Sequence, residues 1–158
     1  MTIQLDEQEL GALESAHRFD DVAKIAITML ARHRHEGQNV SMICGPMTTG
    51  GCGSFEANME HFRKSVKVAV RYGLFVFDQT LFQDAMIRIS NWKSGAAYPQ
   101  DVLEIFYRNI FESGHVDKLI FLPDWESSKG ARWERSIAAD LNLPIEEFPS
   151  KWLDEISG

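Results

Sequence analysis

The sequence predicts an α/β fold of three layers, in which helices cover both faces of a parallel sheet of about four to five strands. Short apolar runs alternate along the chain with segments whose apolar residues recur at helical spacing. The apolar runs are continuous rather than alternating, which is typical of parallel strands buried on both faces. At 158 residues the chain is long enough for one such domain with a substantial core.

The first 37 residues are predicted to form an N-terminal helical extension, and residues 38–158 the α/β domain. Residues 6–35 are expected to be helical in two pieces, and Gly37 to end the second. An apolar stripe on these helices is expected to pack on the sheet or on a partner subunit. Its residues are Phe19, Val22, Ile25, Ala26, Met29 and Leu30.

The first strand and the loop after it come next in the chain. "VSMICG", from Val40 to Gly45, is predicted to be a core strand, and the glycine-rich turn "GPMTTGGCGS" follows it. Ser54 has the side chain of a helix N-cap. The helix it begins is expected to run from Phe55 to Tyr72 and to end at Gly73.

The alternation of strands and helices continues to the C-terminus. The predicted elements are a strand at 74–77, a short helix at 80–90, a helix at 101–112, a strand at 118–122, a helix at 128–141 and an edge strand at 143–148. The loop between the short helix and the next one carries Trp92 and Tyr98.

Composition and charge exclude several classes of protein. A net charge of −7 argues against a nucleic-acid binder, which needs a basic surface, although a small phosphorylated ligand remains possible. No apolar run approaches the length of a membrane span, and the acidic N-terminus lacks the pattern of a signal peptide. We therefore expect a cytoplasmic protein that binds neither nucleic acid nor a membrane.

The cysteines and histidines are not spaced as in a metal-binding site. Cys44 and Cys52 lack Cys-x-x-Cys spacing, and we expect them to be buried or loop thiols in a reducing compartment. His33 and His35 lie at a helix end with no third ligand in view, which is more typical of a solvated surface. We expect no metal and no cofactor.

Two loops leave the carboxyl ends of predicted strands, where ligands bind in parallel sheets. In "GPMTTGG" the glycine spacing is neither that of a Walker loop nor that of a dinucleotide fingerprint. Its backbone N–H groups and the hydroxyls of Thr48 and Thr49 would suit phosphate or sugar oxygens. Alternatively, the glycines only accommodate a tight turn.

The second loop, "PDWESSKGARWE", leads into a helix with a glutamate on its apolar side. At 100° per residue Glu134 falls on the stripe of Ile137, Ala138 and Leu141. A carboxylate facing the core is costly unless it is paired or opens onto a polar cavity. Pairing with Arg135 is one possibility, but the polar turn just before the helix favours a cavity. Ser127 or Ser128 would cap this helix, which is compatible with an anion site.

Several motifs together resemble the nucleoside 2-deoxyribosyltransferase-like superfamily. They are "CGPMTTGG", the Asn and Phe of "ANMEHF", "YGLFVFD", and "DKLIFLPDWESSKGARWERSIAADLNLPI". The resemblance covers about Val40 to Phe148 and is closest to a small bacterial and phage branch known only as a domain of unknown function. It implies a flavodoxin-like or Rossmann-like fold, usually in dimers or higher oligomers, without a metal or redox cofactor. The members cleave or exchange the N-glycosidic bond of 2'-deoxynucleosides or their 5'-monophosphates.

The resemblance also assigns roles to residues of this chain. Glu134 would be the nucleophile, and Ser128 and Gly130 would hold phosphate or a sugar hydroxyl. Asp101 would assist the leaving base or orient the sugar, although an aspartate in the first turn of a helix is also favoured by the dipole alone. The remaining candidates of the binding site are Gly45, Pro46, Met47, Thr48, Gly50, Gly51, Asn58, Asp78, Trp125 and Ser127.

Two alternatives to an enzyme remain. A module that binds or senses a nucleotide would keep the loops and need no nucleophile, and a structural protein would need neither. The aromatic residues Trp92, Tyr98 and Trp125 would stack on a base, or would simply pack. The glutamate on the apolar stripe favours the enzyme.

Overall fold

The computed structural model describes residues 1–34, 39–91 and 99–157. It confirms the predicted α/β fold, with a sheet of four parallel strands in the order β2-β1-β3-β4. The strands are β1 (Val40–Cys44), β2 (Phe75–Val76), β3 (Lys118–Phe121) and β4 (Ile145–Glu147). The helices are α1 (Glu7–Ser15), α2 (Phe19–Arg34), α3 (Phe55–Arg71), α4 (Gln83–Ser90), α5 (Arg108–Glu112), α6 (Lys129–Asp140) and α7 (Ser150–Ser157).

The strand order creates a crevice at the carboxyl ends of β1 and β3. The chain passes from β1 to β2 on one side of β1 and then crosses to β3 on the other side. β1 and β3 are direct neighbours, with Met42 paired with Leu119. This is the flavodoxin-like order, and its switch point lies between β1 and β3. The two loops singled out in the sequence leave the strands at this point.

The sheet separates two apolar layers because side chains alternate along each strand. Met42 and Cys44 of β1 face a core formed with α2, α5 and α6, whereas Ile43 faces a second core formed with α3 and α7. Leu119 and Ile120 of β3 divide in the same way. Helices therefore cover both faces, as the continuous apolar runs predict.

The N-terminal helices cover one face of the sheet. Within the predicted stripe Val22, Ala26, Met29 and Leu30 are fully buried in the core beside β1. The chain start also joins the sheet, since the Ile3 N–H donates to the Val76 carbonyl at 3.1 Å. The predicted helix end at Gly37 and its neighbour His35 lie outside the described residues.

The helix ends agree with the local sequence signals. The Ser54 side chain accepts a hydrogen bond from the Ala57 N–H and caps α3. After α3, Gly73 adopts φ of +93°, in the left-handed region that favours glycine. Ser128 caps α6 in extended conformation, so the helix begins one residue later than predicted.

Three elements differ from the prediction. The second strand is limited to Phe75–Val76, and the helix predicted at 101–112 contains a π-helical segment at Val102–Tyr107. The chain also continues into α7, which the sequence reasoning missed. Its Trp152 is buried and stacks on Tyr72 at 4.8 Å between ring centroids.

Within the described residues, no helix has the length and apolar character to cross a membrane.

Candidate active site

Glu134 lies in the second turn of α6 with its side chain turned inward. The residue is only 6% exposed, and its neighbours on the inner side, Ala131, Ile137 and Ala138, are also buried. Arg135 does not pair with it, because the guanidinium donates to Glu147 at 2.7 Å and covers the Trp125 ring at 4.4 Å. Of the two alternatives left by the sequence, the structure shows the inward one.

Burial dominates the electrostatics of Glu134. Desolvation raises the pKa of its carboxyl to about 8, and the Cys44 thiol, which donates to Oε2 at 3.5 Å, offsets this only in part. Burial and the nearby carboxyl also raise the pKa of Cys44 well above its usual value. Nucleophilic attack needs the ionised form, whereas the raised pKa favours the neutral form in the free protein at pH 7.

A small cavity of about 30 Å³ lies against the Glu134 carboxyl. It brings together six of the residues predicted for the site: Gly45, Met47, Thr48, Ser128, Gly130 and Glu134. Gln79, Leu103, Tyr107 and Ala131 complete its wall. The cavity holds only a few atoms, so a pentose could enter only if part of this wall moved.

A larger cleft of about 640 Å³ shares Thr48 with the cavity. Its volume is in the range of small-molecule sites. The glycine-rich loop and Ser127 form its walls, through Thr48, Thr49, Gly50, Gly51, Gly53, Ser54, Phe55, Asn58 and Ser127. The two predicted loops therefore meet around one cleft, which borders the cavity of Glu134 at Thr48.

Hydrogen bonds hold the two loops together. The Gly51 N–H donates to Ser127 Oγ at 2.8 Å, and the Lys129 N–H donates to Thr49 Oγ1 at 3.0 Å. The second bond satisfies a free N–H at the start of α6. Ser128 Oγ accepts from the Ala131 N–H at 3.2 Å, so its predicted role as a cap is confirmed.

Asn58 organises the glycine-rich loop from beneath. It is 3% exposed, and its Nδ2 donates to the carbonyls of Met47 and Gly50, both at 3.1 Å. Its Oδ1 accepts from the Cys52 N–H at 2.7 Å. The side chain thus fixes the conformation of the loop that forms the cleft.

We expect Gly51→Ala to destabilise the protein by about 1–3 kcal/mol. Gly51 has φ of +65°, and an added Cβ would lie 2.5 Å from Pro46 Cβ and 2.6 Å from Asn58 Oδ1. Urea unfolding measures the change. Gly11→Ala in α1 is the control, since no atom lies within 4 Å of its added Cβ, and it should be neutral or slightly stabilising. Equal midpoints for wild type and Gly51→Ala would contradict this account of the loop.

Four predicted site residues do not line the cavity or the cleft, and one of them, Pro46, is buried beside Gly51. Asp101 is exposed at the start of its helix. Asp78 accepts hydrogen bonds from the N–H and hydroxyl of Thr80 and caps the 3-10 turn Gln79–Phe82. Trp125 packs edge to face on Phe121, with Arg135 over its ring, which supports the packing interpretation. Trp92 and Tyr98 lie outside the described residues.

Sequence reasoning missed Gln79, Leu103 and Tyr107. The π-helical segment Val102–Tyr107 places Leu103 and Tyr107 on the cavity wall, and no sequence signal marks this change of helix type. Such segments are frequent at functional sites. Gln79 follows β2, so the rule that ligands bind at carboxyl ends could have indicated it.

Other clefts on the molecule have carboxylates that are paired. A cleft of about 390 Å³ between α1 and α2 contains Glu9, which pairs with Arg32 at 2.6 Å. Another of about 490 Å³ contains Asp117, which pairs with Arg34. Over the described ranges, no group of three or more His, Cys, Asp or Glu residues is placed to hold a metal ion. Glu134 differs because no salt bridge to it is found in the part of the chain that the structure describes.

Comparison with known families finds a match over residues 40–147. The family is described as "Domain of unknown function (DUF4406)". The chain belongs to this family. No curated protein and no solved structure gives a significant match. The matched range of the family includes both loops, Gln79 and Glu134, so the whole cavity wall lies within it.

Proposed function

We propose that the protein cleaves or exchanges the N-glycosidic bond of deoxynucleosides, nucleosides or their 5'-monophosphates, with Glu134 as nucleophile. The observation that carries this proposal is the buried Glu134 carboxyl, which faces a cavity at the carboxyl ends of β1 and β3. The sequence resemblance to the nucleoside 2-deoxyribosyltransferase-like superfamily supports the same chemistry.

The reaction would proceed in two steps. The ionised Glu134 oxygen attacks the anomeric carbon, the bond to the base nitrogen breaks with its electron pair on the nitrogen, and that nitrogen takes a proton from water as the base leaves. Water or a second base then displaces the carboxylate from the same carbon and gives up a proton to solvent, which balances the proton taken in the first step. The attack requires Glu134, whereas Asp101 lies outside the cavity and takes no part in either step.

The cleft beside the cavity suits a 5'-phosphate. The N-terminus of α6, a twelve-residue helix, attracts an anion through its dipole, although the N–H groups of Lys129 and Ala131 already donate to Thr49 and Ser128. The Thr48 side chain borders both spaces. A phosphate in the cleft would leave the sugar directed toward Glu134. We also propose assembly into dimers or higher oligomers, as the resemblance implies.

A non-catalytic nucleotide-binding module is the second candidate. The pKa of about 8 for Glu134 favours it, because a neutral carboxyl can hydrogen-bond to a ligand but does not attack a carbon. The enzyme requires that ligand binding or a higher pH remove this proton.

Base release separates the two candidates. Wild-type protein is incubated with 2'-deoxynucleosides, their 5'-monophosphates, ribonucleotides and NAD, and free base is measured by chromatography. Release from at least one class is expected. If no substrate releases base, and ligands raise the melting temperature of wild type and Glu134→Gln equally, the enzymatic proposal is wrong and the module is favoured.

We expect Gly130→Ala to weaken ligand binding without destabilising the fold. The nearest atoms to an added Cβ are Leu103 Cδ2 at 3.9 Å and Ser128 Oγ at 4.0 Å, so the free protein accommodates the methyl group. Alanine also favours the helix by up to about 1 kcal/mol. The methyl would occupy the cavity beside Glu134, and affinity should fall about tenfold or more. Calorimetric titration and urea unfolding measure both quantities; unchanged affinity would place the ligand elsewhere.

A further inference from the structure

Gln79 is a buried polar residue on the wall of the cavity that holds Glu134. It opens the 3-10 turn Gln79–Phe82, which begins three residues after the end of β2, and is 2% exposed. Its side chain lies between the strand ends and the cavity, because it contacts the Ile43 carbonyl and also lines the cavity.

The amide of Gln79 has a fixed orientation. Its Nε2 donates to the Ile43 carbonyl at 2.8 Å, and a carbonyl can only accept, so the amino group must face β1. Its Oε1 is buried and has no hydrogen-bond partner among the residues that the structure describes. Such a group costs about 1–3 kcal/mol in a folded protein. Unsatisfied buried acceptors are rare enough to require an explanation.

The surroundings explain what Oε1 could bind. Leu103 and Met47, which share the cavity wall, are apolar and buried. An oxygen acceptor in such a wall selects a group that can donate, such as a hydroxyl or an N–H, and rejects an ether or a carbonyl. In the proposed reaction the ligand part that faces Glu134 is the pentose, whose hydroxyls are donors.

We propose that Gln79 Oε1 accepts a hydrogen bond from a ring hydroxyl of the pentose and thereby determines sugar specificity. In a 2'-deoxynucleoside 5'-monophosphate this group is the 3'-hydroxyl. The inference rests on the proposed function, because that function places the sugar rather than the base beside Glu134.

The test compares binding of two ligands that differ by one hydroxyl. The four common 2'-deoxynucleoside 5'-monophosphates and their 2',3'-dideoxy counterparts are titrated calorimetrically into Glu134→Gln, which binds without turnover. The same titrations follow with Gln79→Met added. Loss of the bond to Ile43 would weaken both members of a pair, whereas loss of the acceptor weakens only the hydroxyl-bearing member. The ratio of the two affinities therefore isolates the Gln79 contact.

Gln83 provides the matched control. It is a second buried glutamine, four residues later, and it does not line the cavity. Neither of its amide atoms has a hydrogen-bond partner within the described ranges. We expect the dideoxy ligand to bind Glu134→Gln about tenfold more weakly than its 2'-deoxy counterpart does. The same ratio of affinities is expected when Gln83→Met is added. With Gln79→Met the ratio should fall to about twofold or less.

The outcomes separate this inference from the proposed function. An unchanged ratio with Gln79→Met, an equal fall with Gln83→Met, or no binding of any ligand would overturn the role of Gln79. If wild type releases base but Gln79→Met leaves the ratio unchanged, the enzymatic proposal stands and the role of Gln79 in sugar binding is rejected. If Gln79→Met lowers the ratio to about one and wild type releases no base, the contact of Gln79 with the sugar is supported and the enzymatic proposal is rejected.

Discussion

Glu134→Gln is expected to reduce the rate of base release by at least about 10³-fold, because the amide cannot attack the anomeric carbon. Glutamine has nearly the same shape, so the surroundings of residue 134 should be preserved. The loss should appear in kcat rather than in ligand affinity. Chromatographic assay of base release under saturating substrate measures it, with circular dichroism to verify the fold.

Glu126→Gln is the matched control for this loss. Glu126 is exposed in the 3-10 turn Trp125–Ser127, close in sequence to Glu134, and the substitution removes the same charge. Its kcat should equal that of the wild type. Equal rates for Glu134→Gln and Glu126→Gln would show that Glu134 is not the nucleophile.

The second large expected effect is a loss of stability as the pH rises. The Glu134 carboxyl has an ordinary pKa of 4.5 when unfolded and about 8 when folded. Below pH 4.5 it is protonated in both states, so its favourable contribution is fully present. Between these values only the unfolded state ionises, and the free energy of unfolding falls with pH by up to about 5 kcal/mol. The loss is complete above about pH 8.

Urea unfolding at several pH values between 4.5 and 9 measures this effect. Other groups titrate in this range, so the quantity of interest is the difference between wild type and Glu134→Gln, whose amide does not ionise. The variant should gain stability relative to wild type as the pH rises. Parallel curves for the two proteins would mean that Glu134 is not buried as a neutral acid.

The central strands could be predicted because burial on both faces leaves a direct trace in the sequence. β1 and β3 are apolar apart from Ser41 and Lys118, and the helices opposite them carry apolar stripes. The short helix α7 was missed, although Trp152, Leu153 and Ile156 have helical spacing after Pro149. Those residues pack against the α3 side of the sheet, a tertiary contact that a local pattern does not reveal.

The candidate site was predictable where a residue violated its local pattern. Glu134 stood out because a carboxylate on an apolar stripe needs a reason, and the glycines stood out because they cluster after a strand. Gln79 and Tyr107 were not found, since a 3-10 turn and a π-helical segment decide which side chains face the cavity. Asp101 was expected from the resemblance, but the helix start leaves it on the surface.

The most direct test of Glu134 as nucleophile is to find the sugar attached to it. Wild-type protein is mixed with a 2'-deoxy-2'-fluoro nucleoside 5'-monophosphate, whose fluorine slows both steps by opposing positive charge at the anomeric carbon. After quenching, mass spectrometry of the digested protein should show a fluoropentosyl phosphate on the peptide that contains Glu134, and none in Glu134→Gln. Base release with the adduct on another residue, or at equal rates in both proteins, would contradict the proposal.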